Sequence, residues 1–165
     1  MFLFSTSALA AQEDRPVSLC AEDETVIFTC PVAGKKLISV CASQEFGPEL
    51  GFLQYRYGPD GKAEMFIPEA KTAPAKAAQS GMLMFSGGGG AFLQFVNNET
   101  RYTVYTAIGR WGEGDKAMER SGVTVQKDDK IIADIRCQTE ATSELGPEFF
   151  EKAGLPESEE DFELP

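Results

Sequence analysis

Histidine is absent from this chain of 165 residues. That removes every Ser-His-Asp or Cys-His arrangement and the usual neutral-pH proton shuttle, and with them most hydrolase mechanisms. It also leaves the four cysteines without a partner for a mixed Cys/His zinc site, and no Cys-x-x-C pair is present to suggest redox or metal chemistry. Basic residues are scarce, 15 Lys and Arg against 26 Asp and Glu for a formal charge of −11. Clustered cations are what phosphate neutralisation requires, so nucleic acid is not an expected partner. No stretch approaches the ~18 apolar residues of a bilayer-spanning helix. There is one tryptophan, Trp111, and no internal repeat at a fixed period. Paired carboxylates are available among 26 acids, but availability is not a signal, and the chain is expected to be neither an enzyme nor a binder of a cofactor or metal.

What is present begins with an apolar N-terminus ending in Ala8-Leu9-Ala10-Ala11, followed by the abruptly polar Gln12-Glu13-Asp14-Arg15-Pro16. A small-x-small tripeptide after an apolar run is what a signal peptidase cuts, although residues 1–11 carry no basic n-region. Residues 1–11 are therefore expected to be a signal peptide, complete or truncated, and residues 12–156 a single β domain. The even count of Cys20, Cys30, Cys41 and Cys137 suits an oxidising compartment, periplasmic or secreted. From Glu144 onward there are eight acids and one lysine, so −7 of the −11 lies in the last 22 residues. Residues 157–165 read as a mobile acidic tail. Acidity of this kind permits attraction to a basic partner and equally serves as a solvated, solubilising surface.

Period-2 alternation dominates the body. Ile131, Ala133, Ile135 and Cys137 point one way, Asp134 and Arg136 the other, as in a strand with one buried face. Similar runs occur at 26–30, 37–42, 52–57, 63–67, 82–85, 91–96, 101–108 and 123–126. Turn chemistry separates many of them: Ala33-Gly34-Lys35, Gly58-Pro59-Asp60-Gly61, Asn97-Asn98 and Lys127-Asp128-Asp129. About nine strands joined this way predict an all-β antiparallel sandwich or barrel. Residues 68–81, rich in Ala and Pro, read as a long surface loop with a helical turn. Pro147 to Ala153 reads as one short C-terminal helix, opened by Pro147, stopped by Gly154 and Pro156, and anchored by Phe149 and Phe150.

The hairpin register that best matches apolar residues sets Val26, Phe28 and Cys30 beside Ala42, Val40 and Ile38. Cys41 then lies on the opposite face from Cys30, while Cys137 shares an apolar face. This favours Cys30 with Cys137 and Cys20 with Cys41; Cys20 with Cys30 plus Cys41 with Cys137 stays open. In the chain-entropy model a bridge closing ~107 residues stabilises by up to about 4–5 kcal/mol.

The unusual constellation is Phe85-Ser-Gly-Gly-Gly-Gly-Ala-Phe92. Four consecutive glycines bring no side chains and maximal backbone entropy, which a plain connector does not need. No Gly-Lys-Ser/Thr follows, so this is not a Walker-type phosphate loop. One reading is a β-bulge or a site where another strand packs on bare backbone. The other is a thin protruding loop able to enter a partner's cleft, with Ser86 at its base. Trp111 follows Arg110 in a glycine-flanked stretch and reads either as an interface hot spot or sugar platform or as a lid on the barrel end. Tyr55, Tyr57, Tyr102 and Tyr105 read as a stripe or as cross-strand packing.

Ser86-Gly87-Gly88-Gly89-Gly90-Ala91-Phe92 resembles, with one extra glycine, the Ser-Gly-x-Gly-Ala-x-Tyr loop of the bacterial periplasmic inhibitors of c-type lysozyme. Trp111-Gly112-Glu113-Gly114-Asp115-Lys116-Ala117 resembles their later Trp-x-Lys-Gly-x-x-Ala motif, with Glu113 in place of its lysine and Phe92 in place of the loop's tyrosine. The resemblance implies an exported protein-binding module that blocks an enzyme active site, a cell-wall hydrolase inhibitor or an immunity protein. Its partner would be a protein, such as a basic hydrolase. Ser86, Gly87, Gly88, Gly89, Gly90, Arg110 and Trp111 would be the contact residues. The alternative is a non-enzymatic structural or ligand-binding protein of the cell envelope.

Overall fold

The alternation over residues 24–43 doubles back at Ala33-Gly34-Lys35, where Gly34 and Lys35 take left-handed backbone (φ 79° and 58°). In the computed structural model, which describes residues 14–165, this makes β1 (Glu24–Val32) and β2 (Lys36–Ser43). The chain continues through β3 (Leu53–Pro59) and β4 (Met65–Thr72) to a short α1 (Pro74–Ala77). A second meander follows: β5 (Gln79–Phe85), β6 (Gly88–Asn97), β7 (Thr100–Gly109), β8 (Met118–Lys127) and β9 (Lys130–Arg136). β10 (Thr142–Ser143) and α2 (Pro147–Ala153) complete the series.

The strands form two five-stranded antiparallel sheets, β10-β1-β2-β3-β4 and β5-β6-β7-β8-β9. They pack face to face as a sandwich and do not close into a barrel. Tyr55 of the first sheet meets Phe95 and Tyr102 of the second, ring centroids 6.0 and 5.7 Å apart. Phe28, Ile38 and Val40 from one side and Leu93, Val104 and Val123 from the other are wholly buried around them. Each such side chain contributes roughly 1.5–3 kcal/mol by leaving water. The tenth strand, two residues long, adds to the edge of β1 with Phe28 opposite Ser143. Two residues carry no detectable period, which is why about nine strands are expected from sequence.

Both disulfides follow the favoured pairing: Cys30 with Cys137 and Cys20 with Cys41. The first ties β1 to the chain just beyond β9 and so joins the two sheets. In the β1–β2 hairpin Cys30 faces Ile38 and Phe28 faces Val40 as expected, but Val26 faces Cys41 instead of Ala42. A β-bulge between Val26 and Phe28 absorbs one residue.

Three expectations need revision or lie elsewhere. Residues 68–81 are not a loop: β4 runs on to Thr72, α1 follows, and β5 starts at Gln79. Ala77 and Ala78 are buried where the chain crosses from one sheet to the other, so the alanines there reflect a tight passage and not solvent exposure. The expected signal segment, residues 1–11, lies outside the described residues.

The acidic tail is the third. Glu157 pairs with Ser80 at the edge of β5, with Ser80 N–H donating to Pro156 O and Ser158 N–H donating to Ser80 O. The chain then crosses the outer face of the second sheet. Ser158 Oγ donates to Gln94 Oε1 at 2.5 Å, Arg101 forms a bidentate pair with Glu160, and Arg136 Nη2 donates to Pro165 O at 3.0 Å. Phe162 and Leu164 pack on Leu83, Phe92, Tyr105 and Ala107, a second small core distinct from the first. Residues 157–165 are therefore a strap, not a free tail.

The outer face of the first sheet is covered in a matching way by residues 14–23. Leu19 N–H donates to Ser39 Oγ, Thr29 Oγ1 donates to Val17 O, and Cys20 is bonded to Cys41 beneath. Each outer face thus carries one such segment, the first held covalently and the second by a backbone bridge at Ser80 and side-chain contacts.

Candidate functional site

The glycine-rich segment lies at one end of the second sheet and does not protrude as a four-residue loop. Only Ser86 and Gly87 form the hairpin turn, with Gly87 at φ 83°. Gly88, Gly89 and Gly90 are ladder residues of β6, opposite Phe85, Met84 and Leu83 on one side; Gly89 and Gly90 face Ile108 and Ala107 on the other. A Cβ on Gly88 would lie 2.0 Å from Ile108 O, and one on Gly90 2.1 Å from Thr106 O. Bare backbone is required there because neighbouring strands approach too closely for any side chain.

Arg110 and Trp111 follow β7 at the same sheet end. The aliphatic stem of Arg110 lies beside Gly87, where a Cβ would be 3.4 Å from Arg110 Cδ. Trp111 lies flat over Gly109, stacks on Phe85 at 5.6 Å, and carries the Arg120 guanidinium 4.4 Å above its ring. All seven residues singled out from sequence, Ser86 to Gly90 with Arg110 and Trp111, are thereby gathered at one end. Arg110 and the Ser86-Gly87 turn are exposed, while Trp111 is half-buried as the end of the second core.

Sequence reasoning missed the most exposed apolar group at this end. Met84, Gly89 and Ile108 form one cross-strand row, and Met82, Ala91 and Thr106 the next row on the same face. Here the second sheet overhangs the first, and Met84 is 92% exposed, Ile108 58% and Met82 49%. Met118, 52% exposed on β8, stands opposite Gly109 and so points to the other face. The signal was the unbroken apolar run Met82-Leu83-Met84-Phe85: Leu83 and Phe85 fill the second core, so both methionines had to face the other way.

Beside this face lies a groove of about 800 Å³ lined by Ile108, Trp111, Met118, Glu119, Arg120 and Ser121 among others. Glu119 Oε1 accepts from Thr106 Oγ1 at 3.0 Å and Ser121 Oγ at 2.8 Å. Its Oε2 is buried without a hydrogen-bond partner among the described residues.

The four tyrosines do not form one stripe. Tyr55 and Tyr102 belong to the main core, Tyr57 lies under Lys36, and Tyr105 lies beneath the strap. Burial pushes the Tyr105 phenol well above its ordinary range, and Asp134, which accepts its O–H at 3.2 Å, adds to that.

A polar cluster also sits under the N-terminal arm. Arg56 donates to both carboxylate oxygens of Glu24, at 2.6 and 3.0 Å, with side chains only 7% and 6% exposed. Burial alone would raise the Glu24 carboxyl, but the Arg56 hydrogen bond, the Ala21 N–H and the charges of Arg56 and Lys71 outweigh it and hold it below its ordinary value. Cys20, Cys41 and Glu24 lie close enough to suggest metal ligands. The sulfurs are consumed by their mutual disulfide and the carboxylate by Arg56, so the cluster is structural.

Comparison with protein-family models, curated proteins and solved structures finds no match. The class is accordingly defined by fold alone: an all-β antiparallel sandwich with two disulfides and, among the described residues, no helix long and apolar enough to cross a membrane.

Proposed function

We propose that this is an exported, non-enzymatic protein-binding module of the periplasm or cell exterior, whose contact surface is the exposed end of the second sheet. The observation that carries the reading is the apolar face of Met82, Met84 and Ile108 beside the Ser86-Gly87 turn and Arg110. Contiguous apolar surface of this kind stabilises a protein contact when covered, and methionine adapts to a partner's shape. The finer assignment is inhibition of a cell-wall hydrolase or immunity against a secreted toxin. Its support is that the two segments resembling lysozyme-inhibitor motifs, Ser86–Phe92 and Trp111–Ala117, meet at one sheet end. The Ser86-Gly87 hairpin tip would enter the partner's cleft, and the net negative charge would speed capture of a basic hydrolase.

The test is inhibition of c-type lysozymes and peptidoglycan hydrolases at micromolar protein. The expected result is inhibition of at least one, abolished in Met84→Asp and Ile108→Asp variants that retain native circular dichroism. Unchanged activity across the whole panel would sink the inhibitor assignment. A second reading, a structural or ligand-binding envelope protein, is favoured by the three glycines engaged in the ladder. Limited proteolysis separates the two: rapid cutting near Gly87 supports a mobile plug, and resistance supports packing.

A further inference from the structure

We infer that the outer face of the second sheet is a peptide-recognition groove, filled in this chain by its own strap, whose external ligand is an extended acidic segment of a partner protein carrying Glu-x-Phe-x-Leu spacing. The strap supplies the recognition pattern. The Glu160 carboxylate takes both terminal nitrogens of Arg101, a geometry that reads a carboxylate specifically. Two residues on, the Phe162 ring settles between Phe92 and Tyr105, centroids 5.3 and 5.6 Å away. Leu164 enters the same apolar cluster, and Arg136 closes the far end on Pro165 O.

The floor of the groove is specialised for such a ligand. Phe92 lies flat because Gly81 opposite it has no side chain; a Cβ there would lie 2.2 Å from Phe92 Cζ. The rows below bring Leu83, Gly90 and Ala107, small enough to leave depth under Phe162 and Leu164. Leu83, Phe92, Tyr105 and Ala107 are buried beneath Phe162 and Leu164 of the strap, and beyond them the aromatic surface continues to Phe85 and Trp111. No covalent bond holds the strap, in contrast to the disulfide that holds the opposite arm. Five of its nine residues are acids that repel one another, so occupancy in cis rests on effective concentration, roughly millimolar for a short tether. An external segment with the same spacing competes on those terms, and removing the strap's anchors removes the competition.

The experiment uses the full chain and a fluorescein-labelled nonapeptide with the sequence of residues 157–165, read by anisotropy at low ionic strength. A Phe162→Ala/Leu164→Ala chain is expected to bind the peptide at least tenfold tighter than the natural chain. Arg101→Glu added to that variant is expected to remove the gain, and a peptide with its phenylalanine replaced by alanine should not bind. Absence of binding to a natively folded double variant overturns the proposal. So does concentration-dependent dimerisation of the natural chain by strap exchange, which would give the groove to a second copy. If the double variant fails to fold, a protease site placed between Pro156 and Glu157 and cut after folding replaces it. Failure of the freed strap to exchange with labelled peptide then overturns the proposal equally.

Discussion

Removal of one partner from the Glu24–Arg56 pair should be among the costliest single substitutions outside the apolar core. Glu24→Ala would leave the Arg56 guanidinium, 7% exposed, with only Leu19 O and Gln54 Oε1 as acceptors. An uncompensated buried charge of this kind costs about 3–5 kcal/mol. Against a total of about 5–15 kcal/mol for a domain, that is about a fifth or more of the stability. Urea unfolding followed by far-UV circular dichroism should show the midpoint falling with the slope unchanged. Glu24→Leu combined with Arg56→Met, which removes both charges, should recover most of the loss. Acid titration gives an independent check with a defined sign. The Glu24 carboxyl is held below its ordinary 4.5, so its contribution is fully present above that pH and is lost as pH falls through the lowered folded value. A Glu24→Gln chain should lack this component of the acid slope. A Glu24→Ala midpoint shift worth under about 1 kcal/mol, the ordinary value of an exposed pair, would refute the claim that the pair is buried and mutually dependent.

Other outcomes follow from the same contacts. Cys30→Ser/Cys137→Ser should cost up to about 4.8 kcal/mol and Cys20→Ser/Cys41→Ser up to about 3.3 kcal/mol in chemical denaturation, from loop lengths alone. Gly90→Ala should destabilise by about 1–3 kcal/mol, because the added Cβ meets backbone atoms of Thr106 and Ala107 at 2.1 and 2.7 Å and neither can rotate away. Burial raises both Tyr55 and Tyr105, so each stays neutral while folded, and stability should fall as pH rises above 10.0, the ordinary value, where the unfolded chain releases those protons. Phenolate absorbance should show these two rings ionising only with the unfolding transition.

Strand positions and both disulfides were legible because period and face are local properties. Phe28 and Cys30 alternate with Thr29, and the same alternation that placed them in the core set Cys41 on the other side with Cys20. What escaped was information held by two distant segments at once. The alanines at 77 and 78 look like loop until the crossing between sheets is known, and the β-bulge at Val26 leaves no compositional trace. Charge masks the strap: Asp161 and Glu163 alternate with Phe162 and Leu164 as a half-buried strand would, but five acids in nine residues have the composition of a solvated tail. At the candidate site, sequence identified the glycines and Trp111 but assigned the exposure to the wrong atoms. The glycines are thin because strands crowd them, and the accessible side chains are the methionines next door.

The order in which the cysteines occur along the chain bears on how this protein is made. Cys20, Cys30 and Cys41 all precede any residue of the second sheet, whereas the partner of Cys30 lies 107 positions downstream. If the chain enters an oxidising compartment N-terminus first, three thiols therefore meet an oxidant before the fourth has arrived. The first hairpin is the safeguard: once β1 and β2 pair, Cys30 and Cys41 point to opposite faces and cannot join. Oxidation faster than that pairing, which takes microseconds for an isolated hairpin, would trap Cys30 with a neighbour and require an isomerase to release it. Hairpin pairing precedes thiol oxidation, which takes seconds or longer, so yield in an oxidising compartment should depend on oxidant supply more than on disulfide isomerase supply.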